Sequence, residues 1–129
     1  MPVKTALVAA PLLLLVAGLG LAISYRRRRE RIGPGMQGDA EFVRLQRAHG
    51  NAVEHVPLLL VGMLLLELMG GGAALLTLVG AAILVARAAH AAGLVLRPRH
   101  PLHFFGAALT YTLEVLLGWL LLYAVAARG

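Results

Sequence analysis

The sequence predicts an all-α integral membrane fold, four transmembrane helices in an up-down bundle, and three observations carry that prediction. Of its 129 residues, 60% are hydrophobic and only 14% are charged, which is too apolar for a small soluble globule. The apolar residues run through four stretches of roughly 20 residues or more, the length that crosses about 30 Å of hydrocarbon. The Lys and Arg residues gather mainly between those stretches. A soluble enzyme, a DNA-binding domain and a disordered tail are set aside by the same composition.

The first span covers residues 5–25, an uncharged run of mostly Leu, Ala and Val that ends on Arg26, Arg27, Arg28 and Arg29. Lys4 before an apolar run is also how a signal peptide begins. The length, the arginine stop and the want of a small-x-small cleavage site make it an anchored span instead. Residues 32–39 concentrate Gly and Pro and form a loop, and residues 40–46 enter a helix at the membrane surface. The second span runs over 42–69, and Gly70, Gly71 and Gly72 break it. The third, 73–96, is apolar except for Arg87 and His90. Arg97-Pro98-Arg99-His100-Pro101 is a second basic loop, and the fourth span, 104–127, is interrupted only by Glu114. The whole chain, 1–129, is thus one four-span membrane domain.

Net charge is +6, which would ordinarily raise nucleic acid as a partner. The basic residues instead follow the first and third spans, so the positive-inside rule accounts for them and no nucleic-acid partner is expected. Both basic loops then face the cytoplasm and both termini lie outside. Trp119 and Tyr123 fall at the outer interfacial belt. With no cysteine in the chain, disulfides, thiolate metal sites and a cysteine nucleophile of the protein's own are excluded, and any thiol chemistry must use a bound thiol.

The informative residues are the polar ones within the spans, because a charge at mid-bilayer costs on the order of 3 kcal/mol and faces protein or a wet cavity. Arg47, Asn51 and Glu54 share a narrow arc of the second span, with His55 at its edge. Arg87 and His90 share a face of the third span, as Tyr111 and Glu114 do on the fourth. Together these residues form a polar cleft opening toward the cytoplasm, suited to a zwitterionic molecule with several carboxylates. Arginine pairs with carboxylate, Glu with ammonium, and Asn serves either donor or acceptor. The competing reading is that Arg47, Glu54 and Arg87 pair with one another as interhelical glue. His49 lies across the second span from Arg47, as a subunit or surface contact, and Glu67 meets interfacial water or a neighbouring helix. The five histidines lack the H-x-x-x-H or H-E-x-x-H spacing of a helical metal site, so no metal is expected.

The run Arg47-Ala48-His49-Gly50-Asn51-Ala52-Val53-Glu54-His55-Val56-Pro57 resembles the signature R-A-H-x-N-x-x-E-x-x-P of the MAPEG family, the membrane-associated proteins of eicosanoid and glutathione metabolism. The four-span layout, the basic loop after the first span and Ala86-Arg87-Ala88-Ala89-His90 match it as well. The R-x-H-G-N-A-V-E-x-x-P form is most similar to the family's small bacterial branch, which places the chain in a bacterial inner membrane.

The resemblance implies a homotrimer with glutathione bound in clefts between subunits at the cytoplasmic end. The implied reaction joins the glutathione thiolate to a lipophilic electrophile arriving from the membrane lipid, or isomerises a substrate or reduces a peroxide with the same thiol. By position, Arg47, Asn51 and Glu54 contact glutathione, and His55 stands where relatives place an aromatic residue. Arg87 and His90 line the site from the third span, and Arg26 or Arg27 matches a basic position that reaches the ligand in some relatives. Departures are informative too. Relatives that handle eicosanoids carry a thiolate-stabilising arginine early in the fourth span, followed by a tyrosine. Aligned from Pro101, those positions are His103 and Ala107; aligned on Thr110-Tyr111-Thr112, they are Ala107 and Tyr111. Gly50 replaces an arginine of some relatives, and Leu94 stands where several have tyrosine.

A thiolate needs a nearby cation or donor at neutral pH, which His103, Arg97, Arg99 or Arg26 could supply. His103 and Tyr111 are the candidate catalytic residues. Three classes of function stay open: a glutathione S-transferase-like enzyme, a glutathione- or lipid-binding membrane protein without turnover, and a structural or transport protein.

Overall fold

A computed structural model describes residues 1–128. Four helices follow in order: α1 (Val3–Glu30), α2 (Ala40–Leu68), α3 (Ala73–Leu96) and α4 (Pro101–Ala126). All four are long and apolar enough to cross a membrane. α1 runs five residues past Tyr25, through the arginines to Glu30, because a helix leaving the bilayer has no reason to stop where hydropathy does. Arg31 then ends it in the left-handed conformation, φ 52°, its backbone N–H donating to the Arg27 carbonyl. α4 begins at Pro101, three residues before Phe104, with the proline in the first turn and the His100 ring accepting from the Leu102 N–H at 3.2 Å.

α2 and α3 form the centre. Each packs on α1, on α4 and on the other, whereas α1 and α4 do not meet among the described residues. The core is correspondingly drawn from the middle helices: Ala52, Val56, Leu59 and Met63 of α2 against Leu76, Val79, Ile83 and Ala86 of α3. Val8 and Leu12 of α1 close one side, and Leu113 and Leu117 of α4 the other. Small residues set the closeness. At Gly80 an added Cβ would stand 2.6 Å from Val8 and 3.1 Å from Met63.

Polar contacts fix both ends of the α1–α2 pair. Glu67 reaches the first turn of α1 and accepts from the backbone N–H groups of Lys4 and Thr5 and from the Thr5 hydroxyl, at 2.9, 2.7 and 2.7 Å. It thereby satisfies N–H groups that no helical carbonyl can reach and places a negative charge at the positive end of the helix. Glu67 is thus a contact to a neighbouring helix within the chain. At the opposite end, Asp39 caps α2, accepting from the Phe42 N–H at 2.8 Å, and pairs with Arg26 at 2.7 Å. Phe42 is fully buried beneath Arg26 and Arg27, whose guanidinium carbons lie 5.9 and 5.4 Å from its ring centroid.

The Phe42 N–H and the Arg26 charge hold the Asp39 carboxyl below its usual range. A depressed carboxylate stabilises the native state fully above the unfolded value, about pH 4, and loses that contribution as pH falls through its lower native value. The protection factors of the amides in the first turn of α2, taken against the intrinsic exchange rate at each pH, are therefore expected to hold at pH 5 and to fall below pH 4. In Asp39→Ala they are expected to be low at both, and equal protection in the two proteins would refute the cap.

Candidate functional site

Three stripes of side chains converge at the end of the bundle that carries the basic loops. Arg47, Asn51 and Glu54 recur at i, i+4 and i+7 on α2, His90 and Leu94 at i and i+4 on α3, and His103, Ala107 and Tyr111 at i, i+4 and i+8 on α4. With Gly50 they line one cavity of about 410 Å³. This spacing puts each set on one helical face, and the three faces meet because α3 and α4 approach to backbone contact. Gly93 lies against the backbone of His103, whose Cα would stand 2.7 Å from an added Cβ. Gly106 lies against α3 with Ala86 O and His90 Cα each 2.7 Å from such a Cβ. The two glycines sit on opposite helices, and between them His90 is pressed toward His103, their ring centroids 4.9 Å apart.

Arg87 lies beneath the cavity rather than in its wall. Its side chain is fully buried, Nη2 donating to Asn51 Oδ1 at 2.8 Å and Nη1 to Thr110 Oγ1 at 3.3 Å. Guanidinium only donates, so this bond turns the Asn51 carbonyl oxygen inward and leaves the Asn51 NH₂ free to donate elsewhere. Thr110 in turn donates to the Gly106 carbonyl at 2.7 Å. Arg87 thus orients one cavity residue and ties α2 to α4 across α3. Its Nε has no hydrogen-bond partner among the described residues.

His55 also stands outside the cavity wall. Its Nδ1 lies 2.7 Å from Glu114 Oε1, and its ring meets Tyr111 edge-on with centroids 5.2 Å apart. The pair braces Tyr111 from behind, joining α2 to α4. His90 is almost fully buried, with Nδ1 3.2 Å from the His103 carbonyl oxygen. A carbonyl accepts only, so Nδ1 carries the proton and Nε2 of the neutral ring is the acceptor. Arg26 is elsewhere: it is bound to Glu30, Asp39 and Glu41 at 2.8, 2.7 and 3.6 Å on the α1–α2 side. His49 packs on α1, its Nε2 3.2 Å from where a Cβ on Gly20 would lie, and is therefore a contact within the chain.

The cavity carries a cation at its outer end (Arg47), an acid about 10 Å deeper (Glu54), and amide, imidazole and phenol groups between them. Arg47, Glu54 and Tyr111 are exposed in the single chain, so the cavity opens sideways as well as outward. Among the described residues no cluster of His, Asp or Glu has the geometry to hold a metal ion. Sequence reasoning passed over Thr110, Gly93 and Gly106. Thr110 carried no charge to mark it, and glycines are common in membrane helices for many reasons.

In comparison with known families, the pattern described as the MAPEG family matches residues 5–123. No curated protein matches the sequence.

Proposed function

The chain belongs to the MAPEG family, whose members are membrane glutathione-related enzymes, and from that membership we propose that it binds glutathione in the α2–α3–α4 cavity and joins its thiolate to a lipophilic electrophile or, with a second glutathione, reduces a peroxide to alcohol and water as the glutathione disulfide forms. It is an integral membrane protein of four spanning helices. The observation that carries the reading is the convergence of Arg47, Asn51, Glu54, His90, His103 and Tyr111 on one cavity of about 410 Å³, within the range of small-molecule sites. Glutathione presents carboxylates, an ammonium group, amides and a thiol, and each has a counterpart. Arg47 pairs with a carboxylate, Glu54 with the ammonium group, and the freed Asn51 NH₂ donates to a carboxylate or carbonyl.

His103 and Tyr111 act on the sulfur. The thiol proton passes to His103 or to water, and the Tyr111 hydroxyl donates a hydrogen bond to the thiolate that remains. The sulfur lone pair then forms the S–C bond with the electrophile, whose leaving group departs with the bonding electrons. His55 and Glu114 hold the Tyr111 ring in place. The sideways opening admits an apolar substrate from the bilayer. In a homotrimer, with the basic loops cytoplasmic and both termini outside in a bacterial inner membrane, a neighbouring subunit walls one side of that opening and leaves the other side to the lipid. Arg26 reaches the cavity only if such a neighbour brings it there.

Calorimetric titration of glutathione into the detergent-purified oligomer tests this. Wild type is expected to bind saturably, and Asn51→Ala and Glu54→Ala to weaken binding by about tenfold or more, the worth of a hydrogen bond to a charged group. Turnover with an aryl halide, reduced in Tyr111→Phe at unchanged affinity, separates an enzyme from a glutathione-binding protein without turnover. No saturable binding by a folded, monodisperse oligomer would refute the proposal.

A further inference from the structure

A second cavity, of about 550 Å³, lies beside the first and shares Arg47, Leu94 and His103 with it. It is enclosed by the start of α2, the end of α3 and the α3–α4 loop, which bring Arg44, Arg97 and Arg99 around it. Its lining contains four arginines and His103 and no acidic residue. Phe104, Leu94 and Val43 supply an apolar wall on the same cavity, and Phe104 is exposed on the outside of the bundle.

Topology alone does not account for this arrangement. An arginine that only orients a loop toward the cytoplasm needs water around it, and Arg28 and Arg29 at the end of α1 are exposed in that way, as Arg97 and Arg99 are; Arg44 is the exception. Arg44 is half-buried. Its Nη1 donates to the Ala40 carbonyl at 3.3 Å, while its buried Nε has no partner among the described residues. Such a donor is costly unless a ligand or water meets it. Arg99 is held at φ 55°, a conformation that side chains other than Gly, Asn and Asp adopt rarely and that tends to be kept where something is bound. Unpaired positive charges converging without a counter-charge focus potential for an anion.

We propose that this cavity binds the phosphate group of an anionic membrane lipid, with Arg44, Arg97 and Arg99 on the phosphate and the Phe104 wall against the first acyl carbons. Basic pockets between membrane helices at the headgroup level suit that ligand. Guanidinium offers phosphate two parallel hydrogen bonds, and the exposed side of Phe104 leads to the hydrocarbon that carries the lipid. The inference does not depend on glutathione binding, since neither Arg44 nor Arg99 lines the first cavity.

Short-chain dihexanoyl phosphatidic acid, dihexanoyl phosphatidylcholine and inorganic phosphate, each titrated into the detergent-purified full chain, test the proposal. Phosphatidic acid is expected to bind saturably and at least about tenfold more tightly than either of the others. Arg44→Gln and Arg99→Gln are each expected to weaken it by about tenfold. Arg99 lies on an exposed loop, so its variant decides the matter if Arg44→Gln fails to elute as folded protein. Inorganic phosphate binding as tightly as phosphatidic acid would assign the cavity to a soluble phosphate and overturn the lipid. Undiminished binding in both variants or no saturable binding at all would overturn the site itself.

Discussion

Gly106→Ala is expected to cost about 3 kcal/mol or more, enough to lower the unfolding midpoint sharply in detergent or to abolish recovery of folded protein. A single methyl group is small, and the size of the effect comes from what it meets. The added Cβ would stand 2.7 Å from the Ala86 carbonyl oxygen and from His90 Cα, and closer still to the His90 nitrogen. Backbone atoms cannot rotate aside as a side-chain tip can, so α4 must move away from α3 along its length. Gly93→Ala makes the reciprocal clash with the backbone of His103. Both substitutions would part the His90 and His103 rings and widen the cavity floor. Gly118→Ala on α4 is the control: nothing lies within 4 Å of its Cβ, and alanine favours helix over glycine by up to about 1 kcal/mol. Thermal unfolding of the three variants beside wild type checks this, and a Gly106→Ala midpoint equal to that of Gly118→Ala would mean that α3 and α4 do not touch there.

Close contact of this kind is what hydropathy cannot read. The spanning runs were legible because lipid tolerates almost nothing but apolar residues over that length. Their ends were not, since helix geometry continues into water wherever the residues allow: Arg26 to Glu30 extend α1 by more than a turn. On α2 the spacing of Arg47, Asn51 and Glu54 places three polar residues on one face, and the structure gathers them on one cavity. On α4 the sequence left two registers open, one favouring His103 and the other Tyr111. The helix places both candidates together, because residues 103, 107 and 111 fall on a single face and the His103 and Tyr111 side chains both line the cavity. His55 and Arg87 were placed at the ligand by helical spacing and by the family resemblance, and position along a helix alone does not tell a wall residue from the residue that holds it. Their partners do, and Glu114, Tyr111, Thr110 and Asn51 come from other helices.

That distinction makes the second large effect asymmetric across one hydrogen bond. Asn51→Leu is expected to cost about 1.5–3 kcal/mol, because it removes a hydrogen-bond acceptor from a guanidinium that is fully buried. Arg87→Met removes the charge itself and keeps most of the volume, and the Asn51 amide it releases can turn toward the cavity, so its unfolding midpoint is expected to fall less than that of Asn51→Leu. The double variant should then unfold close to Arg87→Met rather than at the sum of the two single changes, with a coupling of about 2 kcal/mol or more. Additive losses would show that the Arg87–Asn51 contact carries no energy. If the arginine were kept for the bundle's stability, Arg87→Met would be the damaging change. Its retention at a cost in desolvation points instead to the amide it orients: freed of Arg87, Asn51 can turn its oxygen toward the cavity. Glutathione affinity is therefore expected to fall in Arg87→Met by about tenfold while the fold holds, which is the outcome that separates a positioning residue from interhelical glue.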